Sequence, residues 1–218
     1  MKNKLYYRFW ASTCLLVFIL LGYIIKFYPQ NISGFDTSIQ SEIFSWRNPV
    51  LTNFLKLITS IGNIWNITFL VILIDVIFYF KKWYAELIYL SVLFVMVPGV
   101  LVAILKKVYQ RPRPPEGSRL ITETNFSFPS GHATVSMTVF FILLLIFLAR
   151  IEQKYIKIIV ATFLISLILL IGFSRVYLGV HFPSDILGGY TLALGFILLA
   201  YPYYDLQRFT WRFKGRQK

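Results

Sequence analysis

Apolar residues dominate this chain in long runs separated by short polar breaks. Six stretches approach the roughly 20 mainly apolar residues needed to cross a bilayer core: residues 9–28, 64–80, 84–105, 131–149, 158–173 and 186–202. The fifth and sixth are short, as expected where polar ends dip slightly into the membrane. Between the first two runs the pattern changes to the helical period of an interfacial segment. Asp36 is positioned to cap a helix carrying Ile39, Ile43 and Phe44 on one side. Asn48-Pro49 then reads as an N-cap and first helical residue, opening a stretch with Leu51, Phe54, Leu55 and Ile58 on one face and Thr52, Asn53, Lys56 and Thr59 on the other. The prediction is an all-α, six-transmembrane-helix bundle with short amphipathic helices in the first outer loop. Those helices either cap the bundle or gate lipid entry. No repeat or linker interrupts residues 1–218, which read as a single domain.

Composition strengthens the membrane reading. Of the 218 residues 57% are hydrophobic, mean hydropathy is +0.67, and a soluble domain is usually about half apolar. Only 14% are charged, yet the net charge is +13. The cations lie between apolar runs rather than on one soluble face, which argues against nucleic acid as a partner and for membrane lipids. The run 9–28 follows Lys2, Lys4 and Arg8 in the manner of a signal peptide. It is long enough to span and shows no small-residue cleavage pattern, so it is read as an uncleaved first helix. The single cysteine, Cys14, excludes an intrachain disulfide and is assigned to bilayer packing.

Lysine and arginine set the orientation. With the N-terminus inside, the inner segments hold thirteen of the 22 cations, and Lys26, Arg47, Lys56, Lys106, Lys107, Arg111, Arg113, Arg119 and Arg175 fall outside. Cationic segments stay cytoplasmic, which favours both termini in the cytoplasm of a cell-membrane protein. Asp75 is an acid deep in a span. About two helical turns separate it from Lys81 and Lys82, so it is read as structural, its carboxylate reaching the inner surface.

Three polar stretches lie at the outer ends of the spans: Lys106 to Pro114, Phe128 to His132, and Ser174-Arg175 with His181 and Asp185. Both histidines of the chain fall inside them. Lys106, Arg113 and Arg175 stand beside apolar helices, where a cation is costly without an anionic partner. Arginine's planar fork and lysine's compact charge suit phosphate oxygens. Pro129-Ser130-Gly131 precedes a span, so first-turn N–H groups are open to an anion, with Gly131 permitting close backbone approach and Ser130 adding a hydroxyl. The four-residue spacing of His181 and Asp185 puts them on one helical face if the last helix starts near Pro183. A carboxylate on one imidazole nitrogen fixes the tautomer and raises the basicity of the other, which can then attack phosphorus. His132 can protonate a leaving oxygen and activate water. Lys107, Arg111 and Arg119 are read as facing lipid headgroups.

Together the stretches carry a resemblance. Lys106 and, after six residues, Arg113-Pro114, then Pro129-Ser130-Gly131-His132, then Ser174-Arg175-(five)-His181-(three)-Asp185 are similar to the three-part signature of the type 2 phosphatidic acid phosphatase superfamily. It spans residues 106–185 by motif and nearly the whole chain by its six-span layout. The resemblance implies that Lys106, Arg113, Arg175, Ser130 and Gly131 hold the phosphate, that His181 becomes a phosphohistidine oriented by Asp185, and that His132 is the acid/base. It implies no cofactor and no metal, and no acidic or histidine cluster of ligand type is evident. The expected activity is hydrolysis of a lipid phosphate monoester or diphosphate (phosphatidylglycerophosphate or undecaprenyl diphosphate) at the outer membrane face. Phosphotransfer to another lipid, or transport without catalysis, are the alternatives.

Overall fold

Residues 4–217 are described by a computed structural model, and among them the regular structure is entirely helical. In order the elements are α1 (Lys4–Phe27), α2 (Pro29–Ser45), α3 (Pro49–Ile61), α4 (Ile64–Phe80), α5 (Tyr84–Phe94), a π-helical turn (Val95–Leu101), α6 (Val102–Tyr109), a 3-10 turn (Glu116–Ser118), α7 (Gly131–Arg150), α8 (Lys154–Tyr177) and α9 (Pro183–Phe213). Five helices are long and apolar enough to cross a membrane, counting Tyr84–Tyr109 as one, and α3 with α4, bent by 50° at their junction, make a sixth candidate. The molecule is an all-α membrane bundle. Leu57, Phe69, Phe80, Ile159 and Phe163 are among many exposed apolar side chains on its flanks, an arrangement that water would penalise and acyl chains would not.

The apolar pattern located the helices but not all of their ends. The fifth and sixth spans are not short: α8 covers 154–177 and α9 runs 31 residues. Polar Ser174, Arg175 and Asp185 end the hydrophobic run while the backbone ladder continues through them. At its other end α9 passes through Pro202 without stopping. Within Tyr84–Tyr109, Pro98 has no N–H to donate, and the wider π turn absorbs the break.

α7 is the most enclosed span, packed against α8 and α9, and α1 lies along α9. Lys4 sits 5.1 Å from the ring of Tyr203, and Lys26 donates to the carbonyl of Val108 at 2.9 Å. The first described residues and the end of α9 therefore share one end of the bundle, opposite the two histidines. At that end the carboxylate of Glu86 is fully buried and accepts from Arg150 Nη2 at 2.6 Å. Asp75 does not reach the surface: Ser91 Oγ donates to it at 2.6 Å from the neighbouring α5, and its second oxygen is buried without a partner.

At the other end, α2 and α3 fold over the bundle. Asn48 caps α3 as expected, its side chain accepting from Leu51 N–H at 2.9 Å. Asp36 caps no helix of its own, because α2 begins seven residues earlier at Pro29. Its Oδ1 accepts from the N–H of Ser184, at the start of α9, at 2.9 Å. Beneath α2 and α3 a small apolar cluster of Ile43, Leu55, Val176, Leu178 and Ile186 joins them to α8 and α9. The 110–130 loop is tied down on both sides. Arg47 donates to the carbonyls of Ser118 and Tyr177, and Leu120 N–H to that of Leu178. Gly179, at φ 75°, faces Ser118 so closely that a Cβ would stand 2.3 Å from its carbonyl oxygen.

Candidate active site

Four elements deliver the polar groups to one place. α6 ends at Tyr109 because Gln110 turns left-handed (φ 51°), sending the chain to Arg111 and Arg113. Ser130 is the N-cap of α7, its hydroxyl accepting from Ala133 N–H at 3.4 Å. That leaves the N–H groups of Gly131 and His132 in the open first turn. Nothing lies within 4 Å of where a Cβ on Gly131 would stand, so the space in front of this turn is free. His181 lies in the turn from α8 to α9, and Asp185 in the first turn of α9.

The sequence-predicted residues converge. His181 and Asp185 are buried, with His181 Nδ1 3.3 Å from Asp185 Oδ2. On the other side of the ring, Arg113 Nη1 lies 3.2 Å from Nε2. His132 is close enough to Arg175, His181, Arg113 and Lys106 to feel their charges, which puts both imidazoles and all three cations at the same end of the bundle.

The cations are held by the scaffold rather than left free. Lys106 Nζ donates to the carbonyl of Phe126. Arg113 donates to the carbonyls of Asn125 at 2.5 Å and Val180 at 2.7 Å. Arg175, 1% exposed, donates to Thr59 Oγ1 at 3.0 Å, while its buried Nε has no acceptor. A buried guanidinium with an orphan donor favours an anionic guest. Burial pulls Arg113 down from its ordinary value, Glu123 opposing this. His181 is pushed down to about 3, chiefly by burial, with its bond to Asp185 acting in the other direction. At neutral pH its imidazole is uncharged, as a nucleophile requires.

Ser127 and Glu123 escape the sequence reading, and Arg111, Arg119 and Asp36 do not have the roles it gives them. Ser127 donates to Asp185 Oδ2 at 2.5 Å and lies 3.3 Å from His181 Nδ1. Glu123, 27% exposed, bonds Arg175 and stands 3.5 Å from Arg113 Nη2, occupying the cationic cradle from the loop side. Arg111 does not face headgroups. It turns inward and pairs with Asp36 and Asp185, each at 2.6 Å. Arg119 likewise serves the loop, donating to the carbonyl of Pro114 at 2.7 Å, whereas Lys107 is exposed. A signal for Ser127 lay in its place two residues before Pro129; Glu123 and Asp36 had none, because their partners are distant in sequence. Among the described residues no group of three His, Cys, Asp or Glu side chains is arranged to hold a metal ion.

A bundle of membrane-spanning helices, with a cationic cradle and two imidazoles at one end, defines an integral-membrane enzyme acting on phosphate esters. The family model of the PAP2 superfamily matches residues 83–209, and the chain belongs to that superfamily. It is 32% identical over 186 residues to phosphatidylglycerophosphatase B of Bacillus subtilis (strain 168), an alignment covering 82% of this chain and 87% of that protein. Among solved structures it is similar to a transmembrane PAP2-type phosphatidylglycerolphosphate phosphatase from Bacillus subtilis. The TM-score is 0.78 at 27% identity, over 90% of this chain and 96% of the other. It is also similar to Aquifex aeolicus LpxE, with a TM-score of 0.61 at 29% identity, over 77% and 96%. The protein is a PAP2-type lipid phosphatase.

Proposed function

We propose that the enzyme hydrolyses the phosphate of phosphatidylglycerophosphate through a phosphohistidine on His181, at the extracytoplasmic face of the cell membrane. The observation that carries the mechanism is the pair of contacts on the His181 ring. Arginine can only donate, so Arg113 at Nε2 marks that nitrogen as the lone-pair side, and Nδ1–H is left to Asp185. The substrate phosphate enters the cradle, its oxygens taking the donors of Lys106, Arg113 and Arg175, the open N–H groups of Gly131 and His132, and the Ser130 hydroxyl. His181 Nε2 then attacks phosphorus in line with the ester oxygen. Asp185 balances the charge that develops on the ring. His132 protonates the departing lipid oxygen, then takes a proton from the water that cleaves the P–N bond, releasing inorganic phosphate and restoring both histidines. Fixed cations meet the equatorial charge without reorganising.

Substrate choice rests on the relatives named above and on the site's position at the end of the spans, where a headgroup phosphate sits while its acyl chains stay in the bilayer. Undecaprenyl diphosphate places its phosphates at the same depth and is the second substrate to test. The cation distribution supports an outward-facing site, since the end opposite the histidines carries Lys4, Arg8, Arg150, Arg208 and Arg212.

The test is phosphate release by purified protein from phosphatidylglycerophosphate, undecaprenyl diphosphate, phosphatidic acid and a soluble ester. Phosphatidylglycerophosphate is expected to give the highest kcat/KM, and EDTA to leave it unchanged. Acid-labile label on His181 from ³²P-substrate supports the intermediate; full turnover by His181→Ala overturns it.

A further inference from the structure

Behind the histidine–carboxylate pair lies a closed set of buried polar bonds. Arg111 Nη1 donates to Asp185 Oδ1 at 2.6 Å and to Ser184 Oγ at 2.8 Å, and Nη2 donates to Asp36 Oδ2 at 2.6 Å. Ser184 donates its hydroxyl to Asp36 Oδ2 at 2.7 Å and its N–H to Asp36 Oδ1 at 2.9 Å. The guanidinium stacks 4.3 Å from the centroid of the Phe182 ring. Asp36 is 1% exposed and Asp185 fully buried.

An arginine facing a lone carboxylate normally takes both oxygens with its fork. Asp185 would then have little left for a histidine. Here the fork is split between two acids. Asp36 holds one arm, so only Oδ1 of Asp185 meets the cation, and Oδ2 is free for Ser127, the Phe182 N–H and His181. One positive charge shared by two carboxylates also leaves a net negative charge at this side of the imidazole. Among the groups packed around the ring, Lys106, Arg113 and Arg175 are cationic and Glu123 is anionic; His132 faces it from α7. Without Asp36, the balance on the Asp185 side would fall to zero.

The geometry points to Asp36 and Arg111 as positioning residues for phosphoryl transfer: α2, through Asp36, holds the Arg111 fork so that Asp185 presents one anionic oxygen to His181 Nδ1. This rests on the reading of His181 as the nucleophile. It gives α2 a part in catalysis from a segment that touches no reacting atom.

The test uses the full chain in nanodiscs, phosphatidylglycerophosphate as substrate, and ¹⁵N-histidine labelling, which yields signals from only two residues. Arg111→Gln and Asp36→Asn are expected to lower kcat about 10–100-fold, the usual scale for partners that orient a reacting group, with KM within about threefold. In both, the His181 Nδ1–H proton resonance, displaced downfield by its bond to the carboxylate, moves from its parent position, and in Asp36→Asn, where the fork can close on both oxygens of Asp185, it moves upfield. Arg111→Lys keeps the charge but cannot bridge two acids; it is expected to restore thermal stability and not kcat. Asp36→Asn is the variant surest to fold, since its side-chain oxygen still accepts from Ser184. A kcat within twofold of the parent in Asp36→Asn and Arg111→Gln overturns the proposal, as does lost activity with an unmoved Nδ1–H resonance, which is the mark of a purely structural pin. Full turnover by His181→Ala would instead sink the nucleophile assignment and leave the Arg111 bonds to be read as structural.

Discussion

Arg113 Nη1 stands 3.2 Å from Nε2 of His181, and because a guanidinium has no lone pair to offer, this contact dictates the tautomer. The proton resides on Nδ1, between Asp185 and Ser127. Burial pushes the ring down to about 3, against the pull of Asp185. The sign follows: the folded chain resists protonating His181 while the unfolded chain takes up that proton near 6.5. This residue therefore erodes stability progressively as pH falls from about 6.5 towards 3, and contributes nothing further above that window. In ¹⁵N-labelled His132→Gln protein, His181 is expected to show a neutral Nδ1–H ring with no titration between pH 5 and 8. The acid limb of kcat/KM then belongs to the second ionisation of the substrate phosphate, about 6, because His132 must carry its proton to act on the leaving oxygen and limits the rate only on the alkaline side. A His181 signal titrating near 6.5 would contradict this assignment.

Asp185→Asn tests the opposite side of the ring. The amide keeps the volume, and its oxygen can still accept from Phe182 N–H, so the start of α9 stays folded. It loses the charge that balances the developing positive ring, and it leaves Arg111 with Asp36 as its remaining acid. A loss of about 10²–10⁴ in kcat is expected, on the scale of removing an orienting carboxylate from a histidine, with KM nearly unchanged. Initial rates over a substrate series separate the two; a raised KM at constant kcat would make Asp185 a binding residue instead.

What the sequence displayed and what it concealed divide along one physical line. Hydrophobic periodicity reports burial in lipid or core, so it located the spans, and Asn48 was legible because a cap and its N–H groups are neighbours in the chain. The cluster of Lys106, Arg113, Ser130, His132, Arg175, His181 and Asp185 was visible because polar residues at span ends are conspicuous against an apolar background. Arg111, Glu123 and Asp36 carry the same residue types but no such contrast: each sits in a polar loop or an interfacial helix where charge is unremarked. Their meaning comes from partners such as Asp185, Arg175 and Ser184, between 52 and 148 positions away. Asp75 misled for a related reason. Its distance from Lys81 suggested an escape to the surface, whereas Ser91 on the adjacent helix offers a nearer partner.

Glu123 gives the cradle an internal counter-charge. Its carboxylate bonds Arg175 and approaches Arg113 at 3.5 Å, so an incoming phosphate competes with it for the same donors. Being partly exposed, it can leave without crossing a dry barrier. Glu123→Gln removes the competing charge while retaining the shape. Vanadate, which mimics five-coordinate phosphorus, is expected to inhibit this variant about 3–10-fold more tightly than the parent, or about 0.7–1.4 kcal/mol. Inhibition constants at fixed ionic strength decide the matter. Equal or weaker inhibition would mean that Glu123 supports the arginines' geometry more than it opposes the anion.

Glu86, at the far end of the bundle, tests stability apart from chemistry. Its carboxylate is fully buried, and one oxygen takes Arg150 Nε at 3.2 Å, Nη2 at 2.6 Å and the Tyr204 hydroxyl at 3.4 Å. The guanidinium of Arg150 is itself packed 3.7 Å from the Trp83 ring. These contacts join the start of α5 to the end of α7 and to α9. Removing one member of a buried ion pair costs about 3–5 kcal/mol when the other charge is left enclosed. Arg150 retains 15% exposure and other contacts, so Glu86→Gln does not strand its charge, and the expected cost falls below that range, to about 1–2 kcal/mol. Glu86→Gln/Arg150→Met, which removes both charges and fills the space, is expected to recover most of that loss. Because the lesion lies a full span from the histidines, the kcat of Glu86→Gln at a temperature where it remains folded should match the parent's. Denaturant titration in mixed micelles alongside initial rates would show both effects. A single variant as stable as the parent would mean that Arg150 and Tyr204 find water or another acceptor, and that the pair does not hold α5 to α7.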